Sequence, residues 1–85
     1  MQQMERKRTA FVKALDAWQS SSGMTQRQLA AVGGFHESRL SQLRTEDAAR
    51  PSVEFMRQAI ARAPEPWKSL LKQARQADEA NAHSW

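Results

Sequence analysis

The stretch that decides the fold runs from Thr25 to Arg44 and reads TQRQLAAVGGFHESRLSQLR. Thr25 can accept a hydrogen bond from the free backbone N–H groups of a helix that begins beside it, and Gln28 stands at the spacing of a capping box. Gly33 and Gly34 favour a stop, because glycine adopts the left-handed conformation of a helix C-cap without a Cβ penalty. The stretch therefore predicts a short helix followed by a tight turn.

A second short helix is predicted directly after this turn. Phe35 returns the chain to the core, and Leu40 and Leu43 lie on one stripe of a helix that runs to about Thr45. Two short helices joined by a glycine turn have the outline of a helix-turn-helix. Because two helices of this size bury little apolar surface alone, the rest of the chain is expected to supply most of the core.

One helix is predicted before this motif and another after it. The first runs from the charged residues 5–8 to about Gln19, and residues 20–23 are expected to form a flexible link. The other spans about Val53 to Arg62, with Ser52 as its cap. Their core stripes, which recur at helical spacing, are Phe11, Leu15 and Trp18 in the former and Val53, Met56 and Ile60, flanked by Phe55 and Ala59, in the latter.

A fifth helix is predicted after the break at residues 63–66. Its apolar residues form an amphipathic stripe, and residues 78–85 are expected to fray. The stripe either completes the intramolecular core or forms the seam of a dimer or tetramer, and a helix on a membrane surface is a less favoured third interpretation. The residues of this predicted oligomerisation stripe are Trp67, Leu70, Leu71, Ala74 and Ala77.

These elements predict an all-α fold, a small five-helix bundle. Residues 1–62 would form a helix-turn-helix DNA-binding domain with its motif at 25–44, and residues 63–85 an amphipathic oligomerisation helix with a tail. A chain of 85 residues, 40% of them hydrophobic, can build one modest core. No apolar run approaches the roughly 18 residues of a membrane span and no signal-peptide core is present. A cytoplasmic protein without a membrane partner is expected.

The residue pattern gives little support to catalysis or metal binding. An enzyme needs a nucleophile with its base, paired carboxylates or metal ligands at suitable spacing. The chain has no cysteine, and its two histidines, His36 and His83, lie in different segments without a His or Cys neighbour at the i+4 or similar spacing of a helix-borne metal site. We therefore expect no enzymatic activity, no metal site and no cofactor.

The charge balance and the second helix of the motif favour DNA as a partner. Thirteen Lys and Arg against nine Asp and Glu give a net charge of +4, which permits a polyanionic ligand. Steps of about 100° per residue from Leu40 place Ser38 and Gln42 opposite the core. Gln, Arg, Glu and Ser can all bond base edges in the major groove. The predicted base-reading residues are Glu37, Ser38, Arg39, Ser41 and Gln42, and the predicted DNA-backbone contacts are Lys7, Arg8, Gln26, Arg27, Arg44 and Thr45.

The same residues also have a plainer interpretation. Any surface helix has a polar outer face, and a charge run such as residues 5–8 is typical of a solvated first turn. Glu37 fits a favourable charge at a helix N-terminus. His36 falls on the core side of the angular count, so it is expected to point toward the body of the protein and to act as an N-cap residue.

A family resemblance rests on six positions: Gln26, Ala30, Gly34, Phe35, Leu40 and Leu43. Their pattern resembles the lambda-repressor-like (Cro/CI) helix-turn-helix family. In that family a Gln opens the motif, a small residue lets the helices approach, Gly makes the turn and apolar residues fill the later positions. Residues 31–44, Pro51 and the layout of the chain further resemble the CII transcription activators of lambda-type phages, although Gly33 is unusual at its position.

The resemblance implies a transcription regulator of phage development that binds direct-repeat DNA near a promoter as an oligomer, a tetramer in the CII case. An activator of this kind would also contact RNA polymerase, in the cytoplasm of a bacterial host. A Cro/CI-like repressor would share every DNA feature, whereas an antitoxin-like adaptor would use the fifth helix to bind another protein. Double-stranded DNA and further copies of the chain are the expected partners.

Overall fold

The computed structural model describes residues 9–46 and 50–83. Over these residues the protein is all-helical with five helices and no strand, which confirms the predicted all-α bundle. The helices are α1 (Ala10–Ser22), α2 (Gln26–Gly33), α3 (Glu37–Thr45), α4 (Val53–Arg62) and α5 (Trp67–His83). Within the described ranges, no helix combines the length and the apolar character needed to cross a membrane.

Local capping interactions fix both ends of α2. Thr25 Oγ1 accepts from the Gln28 backbone N–H at 3.1 Å, and Gln28 Oε1 accepts from the Thr25 N–H at 2.9 Å, so the predicted capping box is confirmed. Gly34 follows the helix with φ of +77°, and its N–H donates to the Ala30 carbonyl. Because that conformation is strained for residues with a Cβ, Gly34 ends α2 as predicted.

Gly33 is required for space and not for its backbone conformation. It is the last residue of α2, and a Cβ placed there would lie 2.3 Å from Cε2 of Phe35. The half-buried Phe35 ring in turn stacks on Phe55 of α4, with the ring centroids 4.5 Å apart. Glycine at the position that was unusual for the family therefore lets Phe35 fold back over the end of α2 and reach the core.

One apolar core joins all five helices. Phe11 and Leu15 of α1, Leu29 of α2, Leu40 of α3 and Leu71 of α5 are each 0% exposed. They belong to a single cluster with the buried residues of α4, and α1 and α5 form the most extensive helix pair. The division predicted after Arg62 therefore does not coincide with a break in the core.

Two sequence-based details near the first and fourth helices are wrong. Residues 20–22, expected to be a flexible link, form the last turn of α1, which ends at the left-handed Gly23. Val53, expected in the core stripe of α4, is 52% exposed. The buried side of α4 is shifted from the predicted stripe toward its flank, Phe55 and Ala59. The residues of α4 that face the core are Phe55, Met56, Ala59 and Ile60.

The expected fraying from Asp78 onward is also wrong for residues 78–83, which continue α5. The Asp78 carboxylate accepts from the backbone N–H of Ala10 at 2.7 Å and from that of Phe11 at 2.9 Å. The first backbone N–H groups of a helix have no intrahelical partner and attract negative charge. Asp78 therefore caps α1 across the bundle, together with the local cap Thr9.

Candidate nucleic-acid interface

The outer face of α3 lies opposite its two core residues. Leu40 is 0% and Leu43 is 2% exposed, so the orientation predicted for this helix from its apolar spacing is confirmed. Ser38 and Gln42, predicted at the centre of the outer face, are both exposed. The helix therefore presents hydroxyl and amide groups on the side that does not pack.

A chain of side-chain hydrogen bonds runs along this face. Arg39 Nη1 donates to Gln42 Oε1 at 2.9 Å, and Gln42 Nε2 donates to Glu46 Oε1 at 3.4 Å. Arg39 Nη2 donates to the Arg50 carbonyl at 3.3 Å. All three bonds are solvent-exposed, so they can exchange for bonds to a ligand at small net cost. The chain brings together two predicted base-reading residues, Arg39 and Gln42.

The other residues of α3 proposed to contact DNA differ in how they are held. The Glu37 carboxylate lies 3.7 Å from Nε of Arg27, and the two side chains are 45% and 88% exposed, so this ion pair is weak. Thr45 Oγ1 donates to the Ser41 carbonyl at 2.9 Å. Because that bond uses the hydroxyl proton, Thr45 would have to break it in order to donate to a phosphate.

Arg44 makes a network that ties α3 to α1 and α2. Its Nε donates to Asp16 Oδ1 at 2.8 Å, its Nη1 to Gln26 Oε1 at 2.8 Å and its Nη2 to Gln19 Oε1 at 2.6 Å. The side chain of Arg44 is only 15% exposed. Although Arg44 was predicted to contact the DNA backbone, every nitrogen of its guanidinium group is engaged within the protein, which gives it a structural role instead.

Asp16 and Gln19 were not predicted as site residues. They lie three residues apart on α1, a spacing that places both on one side of the helix. Nothing in their local sequence indicates that Arg44, more than 20 residues further along the chain, docks between them. Only the packing of α3 against α1 could have shown this arrangement.

Gln26 and Arg27 begin α2, where backbone N–H groups lack intrahelical partners and can bind anions. Gln26 Oε1 accepts from Arg44, and the two N–H donors of a primary amide are separate from that acceptor. The Arg27 side chain is 88% exposed. The start of α2 thus combines an amide hydrogen-bonded to Arg44 with an accessible cation.

His36 directly precedes α3. His36 is the N-cap residue of α3, as predicted, but its side chain is exposed and makes no capping hydrogen bond. The expectation that it points toward the body is wrong, because its backbone is extended (φ −78°, ψ 139°) and the helical angular count does not apply there. Lys7 and Arg8 lie outside the described residues.

The predicted oligomerisation stripe of α5 divides between core and surface. Leu71 is 0% exposed, and Trp67 and Ala74 are partly buried against the same core. Leu70 is 41% exposed and Ala77 is exposed. Over residues 67–80 of α5, the exposed outer face is uncharged and consists of Ser69, Leu70, Gln73, Gln76, Ala77 and Ala80.

Comparison of this chain with protein-family models, with curated proteins and with solved structures finds no match. The resemblance to the lambda-repressor-like family therefore stays a prediction that rests on the pattern between Gln26 and Leu43.

Proposed function

We propose that the protein is a sequence-specific DNA-binding transcription regulator that inserts α3 into the major groove and acts as a homo-oligomer. The observation that carries this proposal is the outer face of α3. Ser38 and Gln42 are exposed directly opposite the buried Leu40 and Leu43. A recognition helix must offer hydrogen-bonding side chains on the side that does not pack.

Base recognition is assigned to five residues of α3, of which Ser38 and Gln42 lie at the centre of its outer face. Gln can bond N6 and N7 of adenine through its two amide atoms, and Arg can bond O6 and N7 of guanine. The exposed bond between these two side chains, 2.9 Å long, holds both on the same face before DNA arrives. Glu37, Ser38 and Ser41 complete the proposed set of base contacts.

Phosphate contacts are assigned to the start of α2. Gln26 and Arg27 lie where free backbone N–H groups and side chains reach a DNA backbone. Lys7, Arg8 and Thr45 remain proposed contacts. Arg44 instead acts through Gln26, whose amide oxygen it holds at 2.8 Å.

The oligomer is assigned to the uncharged outer face of α5. A single domain of this size reaches few bases, and specific binding commonly uses two half-sites about one helical turn of DNA apart. Leu70 and Ala77 are the members of the predicted stripe that remain accessible for such a seam. A dimer or tetramer would then present two or more copies of α3 to the DNA.

The sign of regulation is proposed from the resemblance to CII activators. Under this proposal the protein works in the cytoplasm of a bacterial host, contacts RNA polymerase and promotes transcription from lysogeny-type promoters. A Cro/CI-like repressor would use the same α3 face, and transcription measured with and without the protein separates the two. An antitoxin-like adaptor would instead bind another protein and show no salt-dependent affinity for DNA.

The test is a DNA titration with paired variants. A binding site is first selected from a pool of random duplexes, and affinity is then measured by fluorescence anisotropy at two salt concentrations. Gln42→Ala should cost roughly 1–3 kcal/mol and relax one base position, whereas Arg27→Ala should weaken all sequences alike and reduce the salt slope by about one. Gln58→Ala on α4, which removes another exposed Gln, is the matched control. Unchanged affinity and base preference in Gln42→Ala would disprove the assignment.

A further inference from the structure

A second charged surface lies between α4 and α5. It is an open groove of about 540 Å³ whose lining residues all belong to these two helices. Four of them are basic, Arg57, Lys68, Lys72 and Arg75, and one is acidic, Glu79. The groove is therefore strongly positive, and no residue of the proposed DNA-binding face contributes to it.

Two of the four basic residues have partners inside the protein. The Lys68 ammonium group donates to the carbonyls of Ile60 at 2.8 Å and Ala61 at 3.1 Å, in the last turn of α4. The Arg75 guanidinium pairs with Glu79 at 3.2 Å. Lys68 therefore links α5 to the end of α4, whereas Arg75 is paired within α5.

The other two basic residues, Arg57 and Lys72, are available to a ligand. Both are exposed, one on each helix that forms the groove. Within the described part of the chain, neither makes an ion pair or a hydrogen bond. An incoming anion would consequently find two cations on opposite sides of the groove that need not give up an existing partner.

The groove also has an apolar component, because the exposed Ala61 and the 9% exposed Ile60 are among its lining residues. A nucleic-acid backbone is bound mainly by cations, hydroxyls and backbone N–H groups, and it would leave the Ala61 methyl group uncovered and face Glu79. A peptide that carries both carboxylates and an apolar side chain matches the whole lining.

We propose that the groove binds an acidic segment of a partner protein. Its carboxylates would pair with Arg57 and Lys72, and an apolar side chain of the segment would cover Ala61 and the small accessible part of Ile60. The groove uses no residue assigned to DNA, so this proposal stands independently of the proposed DNA contacts, although Gln76 belongs both to the groove and to the outer face of α5. A regulator built in this way could hold DNA and a second protein at the same time.

The probe is a fluorescein-labelled helical peptide with Leu residues at i, i+4 and i+7 and Glu residues beside them. A matched peptide carries Gln at every Glu position. The full chain should bind the Glu peptide more tightly than the Gln peptide, and the affinity should fall with added salt. The double variant Arg57→Gln with Lys72→Gln should bind about tenfold more weakly, since each exposed ion pair contributes up to a few-fold. Circular dichroism checks that its helices are retained.

Lys13→Gln supplies the matched control for Lys72→Gln, because Lys13 is exposed on α1 and does not line the groove. It should change peptide affinity by less than about twofold. Equal binding of the two peptides, or equal losses in Lys13→Gln and Lys72→Gln, would overturn the proposal. So would displacement of the peptide by a DNA duplex whose own binding is lost in the double variant, which would identify a nucleic-acid surface instead.

Discussion

The α2–α3 pair and the α1–α5 pair are held together in contrasting ways. The α2–α3 pair depends on interactions between near neighbours: the reciprocal bonds of Thr25 with Gln28 cap the start of α2, and the left-handed Gly34 ends α2 before the turn to α3. The α1–α5 pair depends on contacts between residues far apart, above all the bonds from Asp78 to the start of α1.

This difference separates stability from recognition. Local signals determine where α2 and α3 begin and end, and only Leu40 and Leu43 of α3 are buried. The polar residues on the outer face of α3 therefore do not contribute to the core. The α1–α5 pair instead supplies buried apolar surface, including the fully buried Phe11, Leu15 and Leu71. We expect substitutions on the outer face of α3 to change binding and substitutions in the α1–α5 pair to change stability.

The strongest test of this separation is Leu71→Ala. Leu71 is fully buried in the core shared with α1, so its truncation should leave a cavity and lower the free energy of unfolding by about 2–5 kcal/mol. Urea denaturation followed by circular dichroism measures the change. Leu70→Ala, one position earlier and 41% exposed, should cost less than about 0.5 kcal/mol.

The same pair of variants tests the proposed oligomer. On the proposed seam, Leu70→Ala should reduce the mass measured by analytical ultracentrifugation while leaving the fold intact. An unchanged mass in Leu70→Ala would argue against the outer face of α5 as the seam.

Arg44 is where the two regions meet, and Arg44→Ala should have an intermediate effect. Loss of its charged hydrogen bonds to Asp16, Gln19 and Gln26 should destabilise the protein by about 2 kcal/mol. Arg27→Ala is the comparison, because its side chain is 88% exposed. That variant should leave the thermal midpoint nearly unchanged and weaken only DNA binding. Equal stability of the two variants would show that the Arg44 network contributes nothing.

The smallest expected effect comes from Asp78→Asn. Removal of the negative charge at the start of α1 should cost about 1 kcal/mol, as for other helix caps. Hydrogen exchange at the Ala10 and Phe11 amides, the two donors to this carboxylate, should accelerate. Glu79→Gln, the adjacent acidic residue in an exposed pair with Arg75, serves as the control. If both variants exchange equally fast, the cross-bundle cap is not significant.

The extent to which the sequence predicts the structure follows the same contrast. The capping box, the end of α2 at Gly34 and the inward direction of Leu40 and Leu43 were predicted correctly, since each depends on residues within a few positions. The continuation of α5 past Asp78 was missed, because its partner, the start of α1, lies 68 residues earlier.

The candidate site shows the same limit. Exposure of Ser38 and Gln42 follows from the periodicity of α3 alone. The engagement of Arg44 by α1, and the role of Gly33 in making room for Phe35, depend on how helices pack against one another. Helical periodicity assigns a side chain to a face, but it does not say which neighbour occupies that face.

The bond between Asp78 and α1 also bears on how the protein is made. During synthesis α1 emerges from the ribosome before α5. The Asp78 carboxylate that caps α1 and the Leu71 side chain that packs in the same core are synthesised only with α5. Domains generally fold as units during synthesis, and this one lacks the cover of Phe11 and Leu15 until α5 has emerged. We therefore expect ribosome-bound chains that stop before α5 to be bound by chaperones and readily cleaved by proteases, even though they already contain the complete α2–α3 segment.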